Sequence, residues 1–151
     1  MATPIPDFTR SHMCGALRAE HEGQDVVLMG WVHNYRDLGG AVFIDLRDRT
    51  GLCQGVFEEQ DDKEVHGIAD SLRPEWVVGI AGKVRSRGSN INENLPTGAI
   101  EIVGAKVVVF NKAKTPPFAV EDDVDTAEDK RLTHRYVDLR RPILQKNLMM
   151  R

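Results

Sequence analysis

VVLMGWVHNYR–DLGG–AVFIDLRD, residues 26–48, is the stretch on which the fold turns. Val26–Arg36 is rich in β-branched and aromatic residues and reads as a long strand. Asp37–Gly40 carries paired glycines, which accept positive φ, and reads as a hairpin turn. Ala41–Asp48 alternates: Val42, Ile44 and Leu46 face one way, Ala41, Phe43, Asp45 and Arg47 the other. That is a second strand with one buried face.

The pattern continues outward from this hairpin. Arg49-Thr50-Gly51 is a tight turn, and Leu52–Phe57 a third strand, with Cys53, Gly55 and Phe57 opposed to Leu52, Gln54 and Val56. Residues 60–72 place Val65, Ile68, Ala69 and Leu72 at helical spacing, and Pro74 closes that helix. Trp76–Arg85 is a fourth strand, Ser86–Gly98 a polar loop and Ile100–Phe110 a fifth strand. A helix between the third and fourth of five strands predicts an all-β barrel with added helices. Its order is that of a five-stranded OB-fold, a Greek-key barrel; a generic five-stranded sheet is the alternative.

Before the barrel, residues 1–8 read as a loose leader, and Ser11 as the cap of a short helix through Glu20. After it, Thr115-Pro116-Pro117 is extended, and Thr126 reads as the N-cap of a helix through Arg135. Pro142 suits the first turn of a last helix, which reaches Arg151 without a closing cap and suggests a cut in a longer protein. The expected division is 1–23 leader and helix, 24–111 barrel, 112–134 acidic helical linker, and 135–151 the start of a further domain.

Composition narrows the function. The chain has 151 residues, 41% hydrophobic and 28% charged, enough for a packed core. No run of 18 apolar residues suggests a membrane span, and the N-terminus lacks a signal pattern, so a cytoplasmic protein is expected. Cys14 and Cys53 form no ligand cluster and read as reduced thiols; the histidines at 12, 21, 33, 66 and 134 lack ligand spacing, so no metal site is expected. Nucleophile–base pairs, HExxH, Walker and GxGxxG motifs are missing, so no catalytic residue is assigned. The Asp37–Gly40 turn lacks the Lys-Ser/Thr of a phosphate loop.

The net charge is −3, but acids concentrate in Glu58–Glu64 and Glu121–Asp129; outside them 19 bases face 12 acids. Most of that excess lies in Lys130–Arg151, which leaves the barrel nearly neutral. Recognition there must rest on a few placed side chains. Phe43, on the outer face of its strand, is a stacking platform for an unpaired base unless it is a core residue. Gln54 presents an amide that matches a base edge unless it is a plain exposed strand residue. Arg36 reaches base or phosphate. Arg85, Arg87, Asn90 and Asn92 cluster at the end of strand four and its loop. Glu101 opposes phosphate, yet its carboxylate can accept from guanine N1–H and N2–H; otherwise it is an ordinary strand acid.

Several stretches together carry a family resemblance. They are Cys14–Arg18, Val27–Val32, Arg36–Gly40 with Phe43–Arg49, Asn90–Asn92 with Thr97–Glu101, and Arg135–Pro142. From about Arg10 onward the chain resembles the N-terminal part of bacterial-type aspartyl-tRNA synthetases. The resemblance implies an anticodon-binding domain followed by the start of a truncated class II catalytic domain. Phe43 would stack on the middle uracil of the tRNA-Asp anticodon, Gln54 would hydrogen-bond it, and Arg36 would lie beside it. Glu101 would read the first, guanine-type base, and Arg87 and Asn90 would lie near the third. The chain departs from the pattern at Asn34-Tyr35, where two arginines are frequent, at Ala99, where an acid is frequent, and in a short Arg87–Asn90 loop. Leu38 leans toward a parent enzyme that charges tRNA-Asp only. The full-length enzyme is implied to be a homodimer using ATP and magnesium; the fragment would take no cofactor, would only bind tRNA, and would be inactive. The competing class is a free-standing OB-fold that binds single-stranded nucleic acid without sequence preference, or an adaptor module.

Overall fold

Five strands close into a barrel in the order β1-β2-β3-β5-β4 in the computed structural model, which describes residues 8–151. They are β1 (Asp25–Asp37), β2 (Ala41–Asp48), β3 (Gly51–Glu58), β4 (Val77–Ser86) and β5 (Ile100–Asn111). The β3–β5 contact is parallel and the other four pairings are antiparallel. This is the OB-fold expected from the strand order. Most of the leader lies outside the described residues.

The alternation seen in the sequence becomes the core. Val42, Ile44 and Leu46 are at most 1% exposed and meet Val26, Leu28 and Val32 of β1, Phe57 of β3, Ile80 of β4 and Ile102 of β5. Each such side chain contributes roughly 1.5–3 kcal/mol by leaving water. Gly104 gives Phe57 its seat: a Cβ there would lie 2.0 Å from the ring. In the β1–β2 turn Gly39 and Gly40 take φ of 67° and 90°, a backbone that glycine adopts without a Cβ penalty.

A bulge between Val32 and Asn34 changes which side of β1 is inside. Before it, Val26, Leu28 and Val32 point inward; after it, Tyr35 packs against the core and Arg36 points out. With strict period-two alternation from Val32, Arg36 would enter the barrel.

Helix α1 (Lys63–Asp70) follows β3. The Asp62 carboxylate caps it, accepting from the N–H groups of Glu64 (2.9 Å) and Val65 (3.0 Å). Ala69 is buried, and Val65 and Ile68 pack against the core. In the loop that follows, Glu75 is a non-glycine residue at φ 67°. Its N–H donates to the Val32 carbonyl (2.7 Å), and its carboxylate takes two bonds from Arg47 (2.9 and 2.8 Å). These contacts hold a conformation that costs of order 1–3 kcal/mol. Trp76 next to it donates from Nε1 to the Ala113 carbonyl (3.1 Å), and the Lys112 ammonium lies 5.0 Å from its ring. The chain is thus clipped where it leaves the barrel.

The segment before β1 differs from the expected helix. It makes two single 3-10 turns, Cys14–Ala16 and Ala19–His21. Ser11 caps neither of them. Its hydroxyl accepts from the Val27 N–H (2.8 Å) and lies 3.3 Å from the Val27 carbonyl, which it faces as donor. Asp48 takes the Cys14 N–H (2.7 Å), and the Thr50 hydroxyl the Gly15 N–H (2.8 Å). Contacts with the barrel claim the donors and acceptors that would have propagated a helix.

Lys114–Arg151 forms a separate compact unit. It holds α2 (Glu128–Thr133), α3 (Arg135–Asp138) and α4 (Pro142–Met150). Thr126 is not a cap: Ala127 occupies that position without a side-chain bond. The helix stops short of Arg135 because His134, at ψ 45°, leaves helical geometry. Pro142 starts α4 as expected. The cap of α4 comes from far upstream, where Asp122 Oδ1 accepts the Ile143 N–H (3.0 Å). Arg141 joins this unit together, donating to the carbonyls of Glu121 (2.9 Å) and Asp122 (2.8 Å) and to the fully buried Asp138 (3.0 Å). Arg135 also donates to Asp138 (2.7 Å).

Candidate nucleic-acid interface

The strand registers bring four of the six expected residues onto one outer face. Arg36 pairs across with Phe43, Phe43 with Val56, and Asp45 with Gln54; on the far side Arg85 pairs with Glu101. Phe43 is half-buried and lies outside the core cluster, with the Arg36 guanidinium 6.0 Å from its ring centroid. Val56 is 1% exposed yet also outside that cluster.

A continuous hydrogen-bonded chain of side chains crosses this face. Arg36 Nη2 donates to Asp45 Oδ1 (3.2 Å) and to Gln54 Oε1 (3.0 Å). Gln54 Nε2 donates to Glu101 Oε2 (2.9 Å). Glu101 Oε1 receives Arg85 Nη2 (2.6 Å) and Nε (3.0 Å), and Arg85 Nη2 also reaches Glu58 (3.3 Å). Both ends of the Gln54 amide and both oxygens of Glu101 are therefore engaged. Gln54 and Glu101 are each 8% exposed, so neither is the plain exposed strand residue that the sequence left open. The hydrogen bonds from Arg85 to Glu101, and the charge behind them, raise the already high affinity of that guanidinium for its proton.

Arg87 and Asn90 lie just beyond this chain, in the loop after β4. The Arg87 N–H donates to the Ala99 carbonyl (3.0 Å), and the Asn90 N–H to the Arg87 carbonyl (3.0 Å). Asn90 is exposed; Arg87 is half-buried, with Nε buried and unpartnered. Neither joins the Gln54–Glu101 pair. Three participants went unweighted at the sequence level: Asp45 and Glu58, and Arg85 as the partner of Glu101. Cross-strand register, which sets Asp45 opposite Gln54 and Arg85 opposite Glu101, is the signal for two of them; Glu58 reaches Arg85 only through its side chain.

Arg47, on the same face of β2, is committed elsewhere. It holds Glu75 bidentately, sits 2.8 Å from His33 Nδ1, and lies 6.0 Å from the Trp31 ring.

The chemistry on offer is stacking and edge recognition. The two thiols are buried, which disfavours their charged forms: Cys53 is pushed up to about 12, and Cys14 is raised further, chiefly by burial and then by Asp48. Among the described residues, no group of three His, Cys, Asp or Glu could hold a metal ion, and no helix is long and apolar enough to cross a membrane.

Residues 26–110 match the OB-fold nucleic acid binding domain family. Over 147 residues the chain is 54% identical to an aspartate–tRNA(Asp/Asn) ligase of Anaeromyxobacter dehalogenans, covering 97% of this chain and 24% of that protein. Against the ligase of the same name from Desulfatibacillum aliphaticivorans it is 47% identical, covering 100% of this chain and 26% of the other. The chain thus spans about a quarter of the length of the curated relatives it matches. Among solved structures, asparaginyl-tRNA synthetase of Pyrococcus horikoshii complexed with asparaginyl-adenylate superposes with a TM-score of 0.73 at 25% identity, covering 89% of this chain and 29% of that one.

Proposed function

This chain belongs to the OB-fold nucleic acid binding domain family, and from that premise we propose that it is the anticodon-recognition part of an aspartate–tRNA ligase. One observation carries the reading: a buried amide, Gln54, is held between Arg36 and Glu101 on the face that also presents Phe43. Phe43 stacks on the middle uracil, Gln54 reads its edge with Arg36 beside it, and Glu101 accepts from a guanine-type first base. Arg87 and Asn90 face the third base. Stacking supplies affinity that any base can accept, and the amide and carboxylate supply discrimination.

In the parent enzyme, residues 112–134 link this barrel to a catalytic part that begins within 135–151. That part joins aspartate to tRNA in a cytoplasmic homodimer. ATP and magnesium would serve it when bound; the described residues offer no cluster for the ion, and no chemical step is assigned to this chain.

The relatives are named for both tRNA-Asp and tRNA-Asn, whereas Leu38 leans toward tRNA-Asp alone. The two anticodons differ in the third base. Fluorescence anisotropy with labelled anticodon stem-loops of tRNA-Asp, tRNA-Asn and a non-cognate tRNA tests the proposal. The tRNA-Asp loop should bind more tightly than the non-cognate loop, and the tRNA-Asn loop measures the third-base preference. Equal affinity for cognate and non-cognate loops would sink the reading and favour a general single-strand binder.

A further inference from the structure

Gln54 and Glu101 are not independent groups. They stand on β3 and β5, 47 residues apart in sequence, and share the bond from Gln54 Nε2 to Glu101 Oε2 (2.9 Å). Any base edge that takes one of them changes what the other can offer. Glu101 Oε1 already holds two N–H groups of Arg85, at 2.6 and 3.0 Å. A carboxylate oxygen has about two lone-pair sites, so Oε1 is filled. The remaining acceptor capacity lies on Oε2, the oxygen shared with Gln54. Arg85 is itself held from the other side by Glu58 (3.3 Å), which braces its fork.

We propose that the bases facing Gln54 and Glu101 are read as a coupled pair, and that Arg85 is the positioning residue that keeps this pair in register. The proposal rests on the anticodon reading above and adds a thermodynamic property to it. Arg85 acts through Glu101: it fixes the carboxylate plane, and it leaves the free lone pair where the Gln54 amide also points.

The coupling is measured on the RNA side. Four stem-loops carry guanosine or inosine at the first anticodon position, combined with uridine or cytidine at the second. Inosine lacks only the 2-amino group. With the wild-type chain, the loss from changing both bases should differ from the product of the single losses by at least about twofold, the lower end of coupling within one hydrogen-bond network. Arg85→Gln should bring that ratio to about one and shrink the guanosine preference, while the slope of log affinity against log salt stays unchanged. Arg85→Lys keeps the positive charge but not the two-pronged fork, and should lose the coupling with the salt slope intact.

Single losses that multiply cleanly in the wild type would overturn the proposal. So would an Arg85→Gln protein that weakens all four loops by one factor with a shallower salt slope, because that is the behaviour of a phosphate contact. Melting curves accompany each variant; if Arg85→Gln does not fold, the wild-type ratio and Arg85→Lys decide. Failure of the anticodon reading looks different: the wild type would then bind all four loops and a scrambled loop alike.

Discussion

Phe43 and Phe57 stand on adjacent strands and answer to different physics. Phe57 is 1% exposed, inside the core cluster, seated on Gly104. Phe43 is half-buried on the outer face beneath Arg36. Phe57→Ala should cost about 3–5 kcal/mol of folding stability, as large core truncations do. Phe43→Ala should leave the melting temperature nearly unchanged yet weaken every anticodon stem-loop by about 1–3 kcal/mol, cognate and non-cognate alike. Denaturation and anisotropy on the same two proteins separate these outcomes. Glu101 should behave in the opposite way to Phe43. Glu101→Ala should erase preference for a guanine-type first base, worth roughly 1.5–3 kcal/mol of discrimination for one hydrogen bond to a charged acceptor. Glu101→Lys should be worse, since it sets a cation against Arg85 and a donor against donors. Tighter cognate binding by a folded Glu101→Lys protein, measured at two salt concentrations, would show that this carboxylate reads no base.

At the scale of elements, the strands were legible because β2 keeps period-two alternation throughout, and Val42, Ile44 and Leu46 are where that period puts them. Helix α1 was legible for the same kind of reason, its apolar residues recurring at helical spacing. Two of the failures share one cause: local signals were outbid by contacts distant in sequence. Ser11 reads as a helix cap but bonds Val27, and α4 is capped by Asp122 rather than by its own neighbours. The bulge in β1, which sends Arg36 outward, has no local signature, and the Arg85–Glu101 pairing depends on where the long loop after β4 returns the chain to the sheet. The site residues were therefore nameable one by one, while their partnerships were not. Asp48 gives a test of one such distant contact. Burial alone would oppose its charge, but bonds from the Thr50 hydroxyl and the N–H groups of Cys14 and Thr50 outweigh burial and hold its carboxyl below the ordinary value of 3.8. With the folded value depressed, the stabilisation is fully present above the unfolded value of about 4 and is lost as pH falls through the folded one. Melting temperatures of the wild type should therefore fall on acidification below about pH 4 more steeply than those of Asp48→Asn. Parallel curves for the two proteins would refute this. For α1, Asp62→Ala should cost about 1 kcal/mol in urea denaturation.

Over the whole molecule, the barrel owns both its core and the outer face. A chain ending at Ala113 should fold and bind the tRNA-Asp stem-loop as the 151-residue chain does; a large loss on truncation would place part of the interface beyond the barrel. Salt should matter little. Arg36, Arg47 and Arg85 are already engaged by carboxylates, so few cations are left to displace counterions. The slope of log affinity against log salt should be about −2 or shallower, given roughly −0.7 per phosphate for single strands. The exit of the chain from this barrel carries one more consequence. Trp76 is tied through its indole N–H to the Ala113 carbonyl and through its ring to Lys112, and the only other indole in the sequence is Trp31. A Trp31→Phe protein would therefore hold a single tryptophan, packed against the segment by which the chain leaves the barrel. Its emission maximum and quenching by iodide would be an optical gauge of that junction, able to show in solution whether the junction stays seated or comes free when RNA is added.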